Sequence, residues 1–373
     1  MIIGIDGNEA NVAQRVGISE YAYELLLQFS KYQVSRIKYQ VYLKDEPRND
    51  LPEEGEGWKY RIITPRKLWT QFSLPLDLYL HRPKPDVFFT PTHYAPRFSP
   101  TPTVISIMDL SFLFYPELFK KNDLYQLRNW TAYSAKKAKR ILTISKFSKN
   151  AIIKEYGVPE ERVVVTYPGL KESFTKTPQA FTMNRIKSKY GISDKYILFV
   201  GTLQPRKNIV RLIEAFSLIE PKDTDLVIIG KKGWLYEEIL AAPKKYGVLE
   251  RVKFLDYVPD EDLPVFYEHA LCFVLPSLYE GFGLPVLEAM RYNCPVIISN
   301  TSSLPEVGGD AAVYIKPEDV SDIAEKIKKV VMSEGLRKEM IEKGKKQAAK
   351  FSWEKTAKET LDMLTNIAQK HNG

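Results

Sequence analysis

The sequence predicts an α/β protein made of two doubly wound domains, and three observations carry that prediction. Short apolar runs of strand length alternate with helical stretches in two successive blocks, the pattern of parallel sheets covered by helices. The chain has 373 residues, more than one hydrophobic core usually serves. Pro168-Gly169 closes the first block, and the polar stretch Lys171 to Pro178 reads as a link to the second. Two such blocks imply two sheets facing a cleft, with ligands collecting at the carboxyl ends of the strands.

In the first block, strands are expected at Ile2 to Asp6, Tyr39 to Leu43, Val87 to Thr90, Thr103 to Met108, Ile141 to Ile144 and Val163 to Thr166. Helices fall between them, notably Ser19 to Phe29 and Ser145 to Tyr156, with Ser19 the expected N-cap of the former. The second block begins at Lys195 to Val200 and continues with strands at Leu226 to Ile229, Val252 to Phe254, Leu271 to Leu275 and Val296 to Ser299. From Phe351-Ser352-Trp353-Glu354 onward the chain reads as a last helix. No internal repeat or low-complexity segment interrupts this order.

Hydrophobic residues at 44% and aromatics at 12% are ample for two cores and argue against disorder. The two cysteines, Cys272 in an apolar strand and Cys294 just after a helix, have no metal or disulfide spacing, so a reducing cytoplasm is the expected setting. Met1-Ile2-Ile3-Gly4-Ile5-Asp6 lacks a basic flank and reads as a first strand, not a secretory signal. No segment has the length or purity of a membrane span. The formal net charge of +8 is unevenly placed: ten Lys or Arg residues lie between Lys120 and Lys154 against the single Asp123. In this partly helical stretch Leu124, Leu127, Trp130 and Tyr133 are expected to face inward. Two readings stay open, an ordinary solvated face or peripheral docking on an anionic membrane at the inner face of the cell membrane. A nucleic-acid partner is not expected, because no recognised binding motif accompanies the charge.

The chemistry-bearing segment is Pro276-Ser277-Leu278-Tyr279-Glu280-Gly281-Phe282-Gly283-Leu284-Pro285-Val286-Leu287-Glu288. It follows an apolar strand and opens a helix, with Pro285 suited to the first turn. The amides of Gly281, Phe282, Gly283 and Leu284 then meet the positive end of a helix dipole at a sheet's carboxyl edge, where a diphosphate settles. Glu280 lies in the loop and Glu288 one to two turns into the helix, placed to accept hydrogen bonds from hydroxyls at the two ends of a nucleotide sugar. Arg206 and Lys207, after the strand ending at Val200 and the loop Gly201-Thr202, reach the same edge. Two fixed cations favour the charge that gathers on a departing diphosphate. A second glycine site, Asn8 to Ser19 with Arg15 and Gly17, follows the first strand; its spacing is not G-x-G-x-x-G.

Glu280-x7-Glu288 around Gly-Phe-Gly-Leu-Pro resembles the donor signature of the family 4 glycosyltransferases of GT-B fold. The resemblance extends over nearly the whole chain, through Phe199-Val200-Gly201-Thr202-Leu203-Gln204-Pro205-Arg206-Lys207-Asn208, Val227 to Trp234, Pro295 to Ser299 and Leu304-Pro305-Glu306-Val307-Gly308-Gly309. It implies two Rossmann-like domains, 1–172 for the acceptor and 173–355 for the nucleotide sugar, with a helix at 356–373 crossing back to the first. It implies a retaining, metal-independent transfer of a hexose from a nucleotide-diphosphate sugar to a glycan or lipid-linked glycan hydroxyl, with no cofactor. In that reading Glu280 orients the donor sugar, Glu288 takes the ribose, and Arg206, Lys207 and the loop amides hold the diphosphate. Lys231 lies near the donor, backbone groups around Val258 meet the base, and Gly17 and Arg15 belong to a loop touching the diphosphate or the acceptor. The run Gly230-Lys231-Lys232-Gly233-Trp234 leans toward mannosyltransferases that use GDP-mannose.

One departure stands out. The family commonly carries His-Asp after the fourth strand of the first domain, whereas here Ile107 is followed by Met108-Asp109. The imidazole is missing unless His93, in Thr92-His93-Tyr94, reaches the same cleft; a structural role for His93 is the other reading, and Asp109 and Tyr94 are expected beside the same substrate. Asp223-Thr224-Asp225 has the D-x-D pattern of a metal site but stands at a strand's amino edge, and is expected to be a solvated turn. A catalytically silent sugar-nucleotide-binding protein, or an epimerase or phosphorylase of similar fold, remains an alternative.

Overall fold

The computed structural model describes residues 1–32, 36–171, 183–219 and 223–372. The chain divides into two compact units, one of Met1–Gly169 together with the segment from Ser352 onward, the other of Leu170–Phe351. All of the expected link but Lys171, and the expected boundary at 172/173, lie outside the described residues.

In the first unit, the strands β1 (Ile2–Asp6), β2 (Lys38–Leu43), β3 (Trp58–Ile62), β4 (Val87–Thr90), β5 (Thr103–Ser106), β6 (Arg140–Thr143) and β7 (Val163–Val165) form one sheet in the order β3-β2-β1-β4-β5-β6-β7. Every pairing is parallel. Its helices are α1 (Ile18–Lys31), α2 (Ser73–Leu80), α3 (Ser111–Phe114), α4 (Lys121–Lys137) and α5 (Lys146–Tyr156). The strand order reverses between β1 and β4, so the loops that leave those strands part from each other at a topological switch point.

The second unit repeats the plan. Its strands β8 (Lys195–Val200), β9 (Thr224–Ile229), β10 (Val252–Leu255), β11 (Cys272–Leu275), β12 (Val296–Ser299) and β13 (Ala312–Ile315) run β10-β9-β8-β11-β12-β13, again in parallel. Helices α6 (Met183–Tyr190), α7 (Ile209–Ser217), α8 (Glu237–Lys245), α9 (Leu263–His269), α10 (Leu284–Arg291), α11 (Leu304–Gly308), α12 (Val320–Met332) and α13 (Glu334–Ala348) accompany it. Here the switch point lies between β8 and β11.

The last helix, α14 (Trp353–Asn372), belongs to the first unit: Trp353, Ala357, Leu361, Leu364 and Ala368 are buried in one core with Leu25 and Phe29 of α1 and Val87 and Phe89 of β4. The start of this helix lies close against the end of the first block, since a Cβ on Gly169 would stand 2.2 Å from the Trp353 nitrogen. On the other face of the same sheet, Tyr42 and Phe88 meet Trp69, Leu74 and Leu78 under α2, while Ile105 and Ile141 meet Ala135 at α4. Successive strand residues point to opposite faces, and Phe89 pairs with Val104, so Phe88 and Ile105 share a face. Helices α2 and α4 therefore cover one face of this sheet; α1 and α14 cover the other.

The sequence reading omitted β3 and β13, both edge strands whose residues are largely half-buried and therefore not marked by a continuous apolar run. The N-cap of α1 also differs from expectation. Gly17, at φ 56°, occupies the cap, and the Ser19 hydroxyl donates to Glu9 Oε2 at 3.1 Å from inside the first turn.

Candidate active site

The site assembles on loops leaving β8 and β11, the two strands that flank the switch point of the second sheet. After β8 the chain must turn without steric room. A Cβ on Gly230 would stand 2.0 Å from the Gly201 carbonyl oxygen, and one on Gly233 would stand 2.7 Å from the Thr202 methyl. Glycine at these positions lets the loops after β8 and β9 zip together, with Gly201 N donating to Ile229 O at 2.8 Å and Leu203 N to Lys231 O at 2.9 Å. A single 3-10 turn, Pro205–Lys207, follows and ends at Asn208 in the left-handed region, φ 60°. The Asn208 amide donates to the carbonyls of Pro276, at 3.0 Å, and Pro317, at 2.6 Å, fixing the turn to the loop after β11.

That turn aims Arg206 and Lys207 at Glu280. The Lys207 ammonium donates to Glu280 Oε1 at 2.5 Å, and Arg206 donates to Oε2 at 3.1 Å and to the Tyr279 carbonyl. Ser277 adds a hydrogen bond to Oε1 at 2.7 Å. Glu280 is buried, and burial alone would raise its pKa. The charges of Lys207 and Arg206, with the Lys207 and Ser277 hydrogen bonds, overcome that and hold the carboxyl down at about 2. The backbone around it is fixed as well: Glu280 N donates to Ser302 Oγ at 3.0 Å, and Ser303 Oγ lies 2.9 Å from both the Glu280 and Phe282 carbonyls.

Helix α10 begins directly beyond. Gly283 caps it at φ 116°, where a Cβ would come 2.8 Å from Leu304 Cδ2, and Pro285 sits in the first turn. Gly281, Phe282 and Gly283 form a buried loop at this helix start. Glu288 lies farther along and accepts from the Tyr267 hydroxyl at 2.8 Å, and burial together with that carboxylate holds the phenol well above its ordinary pKa. Lys231, after β9, rests its ammonium 5.1 Å above the ring of Tyr257, while Val258 in the loop after β10 is buried.

In the first unit, the loops after β1, β4 and β5 carry the other predicted residues. Arg15 is committed to Asp50, through contacts of 2.7 and 3.0 Å, and stacks 3.8 Å over the ring of Tyr23. Beside Gly17, a Cβ would meet nothing within 4 Å. The His93 ring packs 6.0 Å from Phe112 and 6.3 Å from Tyr94; burial pushes its pKa down while the Asp109 charge opposes that. The imidazole and Asp109 thus share one environment although sixteen positions of sequence part them. Asp109 Oδ1 accepts from Ser111 N at 2.8 Å, and Met108 is buried with its carbonyl accepting from Ser148 at 3.0 Å.

The D-x-D segment is not a solvated turn throughout. Asp223 is exposed and paired with Lys195 at 2.7 Å, but Thr224 and Asp225 open β9 and are buried, with Asp225 accepting from Ser193 N at 2.9 Å. Burial of the strand's first residues is the reason: the hydrophobic run begins two positions after it, and the ladder extends back to meet Lys195. Sequence reasoning also passed over Ser277, Ser302, Ser303, Asn208 and Tyr267. Of these, only Asn208 carried a local signal, as the residue type other than glycine that most readily takes the left-handed turn.

Two family models match the chain, "Glycosyltransferase Family 4" over residues 17–174 and "Glycosyl transferases group 1" over residues 182–347. The O-antigen chain mannosyltransferase B of Escherichia coli is 35% identical over 309 residues, spanning 81% of this chain and 78% of that protein. Among solved structures, the sucrose-phosphate synthase of Thermosynechococcus elongatus aligns with a TM-score of 0.75 at 16% identity over 98% of both chains. Anabaena HepE in complex with UDP and glucose aligns with a TM-score of 0.75 at 18% identity over 98% of this chain and 99% of that one. At such identities the structures speak for the fold, and the relative and family models speak for descent. The chain belongs to the family 4, group 1 glycosyltransferases and has their GT-B fold.

Proposed function

We propose that this glycosyltransferase moves mannose from GDP-mannose to a hydroxyl of a glycan or lipid-linked glycan, with retention of anomeric configuration and without a metal. The observation that carries the donor assignment is the convergence of Arg206, Lys207 and Glu280 where the strand order reverses, beside the start of α10. The mannose assignment is supported by the name of the Escherichia coli relative.

In this reading the diphosphate lies against Arg206, Lys207 and the amides of Gly281 to Leu284. The cluster of Arg206, Lys207 and Glu280 carries one net positive charge by the count of two cations and one carboxylate. Among the described residues, Glu280 Oε1 accepts from Lys207 and Ser277, and Oε2 accepts from Arg206. A carboxylate has about four acceptor sites on its two oxygens, so in this reading Glu280 takes a sugar hydroxyl beside these contacts. Glu288 and Tyr267 take the ribose. The acceptor oxygen bonds to the anomeric carbon as the bond from that carbon to the phosphate oxygen breaks, and the acceptor proton passes to the departing phosphate on the same face. Fixed cations favour the diphosphate more as its charge grows, which lowers the barrier.

The unit carrying β1 to β7 would hold the acceptor, with His93, Tyr94 and Asp109 on its substrate side. Its basic strip from Lys120 to Lys154 would contact an anionic bilayer peripherally. Among the described residues no helix is long and apolar enough to cross a membrane. The test is transfer of labelled mannose from GDP-mannose in excess chelator, with the product's anomeric centre read by NMR. Turnover with an axial linkage retained is expected. Activity lost on chelation and restored by magnesium or manganese would overturn the metal-free mechanism, and an inverted product would overturn retention.

A further inference from the structure

Helix α2 is apolar on both sides, yet among the described residues only one side is covered. Leu74 and Leu78 point into the core with Trp69 and Phe88. On the outside, Phe72, Leu76 and Leu80, spaced four apart, are 67%, 60% and 72% exposed, and Leu68 and Tyr79 add to the same surface. A helix hydrophobic all round is ordinarily buried, so the outer stripe calls for a covering surface. Beside it opens a groove of about 680 Å³ whose lining joins Ile63, Leu68, Phe72, Leu76 and Leu80 to the charged Arg61, Lys67 and Asp77. Phe98, also exposed, sits on a loop tied to this region by Arg97 N donating to Thr70 O at 3.2 Å.

The charges around the stripe are one-sided. Between Arg61 and Lys84 there are five Lys or Arg residues and one acid, Asp77, which Arg61 neutralises. Arg66 pairs with Asp45, leaving Lys67, Arg82 and Lys84 facing solvent or the Tyr79 ring and carbonyl. A second copy of the chain docking through this patch about a two-fold axis would bring these like charges together, which disfavours a self-interface. An anionic surface accepts both the cations and the apolar side chains.

A second feature narrows the choice to an extended surface. Helix α4, which carries exposed Lys121, Arg128, Lys136 and Lys137, covers the same face of the first sheet as α2, toward its other end. We propose that this face of the first unit is a bilayer-docking face, in which Phe72, Leu76 and Leu80 of the α2 region enter the interfacial layer and the α4 cations rest on anionic headgroups. The inference deepens the peripheral contact proposed above by naming an apolar anchor, and it is independent of the donor-site assignment. Amphipathic segments bind interfaces through buried apolar area together with attraction to acidic lipid, so the two elements contribute in distinguishable ways. The cationic contribution, from α4 and from Lys67, Arg82 and Lys84, is screened by salt, and the apolar contribution of Phe72, Leu76 and Leu80 is not.

The experiment is co-sedimentation of the 373-residue chain with phosphatidylcholine vesicles containing a minor fraction of phosphatidylglycerol, at low and high salt. Wild type is expected to bind at low salt and to keep part of that binding at high salt. Phe72→Ser with Leu76→Ser and Leu80→Ser is expected to lower the partition coefficient at least about tenfold, with no change in thermal midpoint, because the three side chains face solvent. Charge reversal at Lys136, Lys137, Lys139 and Arg140 is expected to lower the salt-sensitive component and to leave the high-salt binding unchanged. The proposal is overturned if wild type ignores the vesicles, if the triple variant binds as wild type does, or if wild type is a dimer that the triple variant renders monomeric. Transfer to a water-soluble acceptor is measured alongside: activity there without vesicle binding sinks the docking face and leaves the transferase reading standing, and vesicle binding without transfer does the reverse.

Discussion

Glu280 joins two cations that sequence reasoning had assigned to a different part of the substrate. With its pKa held near 2 against an ordinary 4.5, it contributes stability that is fully present above pH 4.5 and is lost as pH falls through about 2. That shift corresponds to about 3 kcal/mol. Glu280→Gln is expected to lower the unfolding free energy at pH 7 by about 3 kcal/mol or more, since Lys207 and Arg206 are left with one acceptor fewer in a buried site. The deficit relative to wild type should narrow steadily as pH falls from 4.5 toward 2. Urea titrations across that range check this, and a deficit independent of pH would mean that the carboxylate charge is not what the site uses.

At the scale of elements, the site depends on backbone contacts that no other side chain permits. Asn208 holds φ 60° and bridges two carbonyls from the loops after β11 and β13. Asn208→Ala is expected to cost about 2–4 kcal/mol, from the left-handed backbone and the two carbonyls left without this donor. Gly230→Ala places a Cβ against the Gly201 carbonyl and is expected to be worse, separating the β8 and β9 loops and moving Arg206. Denaturant unfolding and nucleotide binding measured together test both, because the account requires stability and binding to fall in step. Most strands were legible because the apolar runs of a parallel sheet covered on both faces are continuous, as in Val87–Thr90 and Cys272–Leu275. Edge strands β3 and β13 were not, because half-buried residues blur that signal. In the site, Glu280, Arg206 and Lys207 were readable from their place after strands. Their mutual pairing was not, because it depends on β8 and β11 being neighbours, and strand order is a property of the folded sheet.

For the whole molecule, the chain's end completes its beginning. Leu364 of α14 is buried in the core that holds β1 and β4, more than two hundred and seventy positions earlier in sequence. Leu364→Ala is expected to destabilise the first unit by about 2–5 kcal/mol. Hydrogen exchange should then quicken at Ile3, Ile5 and Phe89 while Phe199 and Val274, in the other unit, stay protected; uniform quickening would mean that the two units unfold as one. The last helix was readable from its sequence and its return to the first unit was implied by the resemblance; the side chains it meets, such as Leu25 and Phe89, come from elements far apart in sequence and are set by the folded core.

Arg206, Lys207 and Glu288 are assigned to one nucleotide-diphosphate site, and titration calorimetry of GDP into wild type and the three single alanine variants measures whether they share it. Each lost charge-assisted contact is expected to cost about 1.5–3 kcal/mol, a weakening of roughly ten- to two-hundredfold in each variant. Wild-type affinity in all three would contradict the assignment.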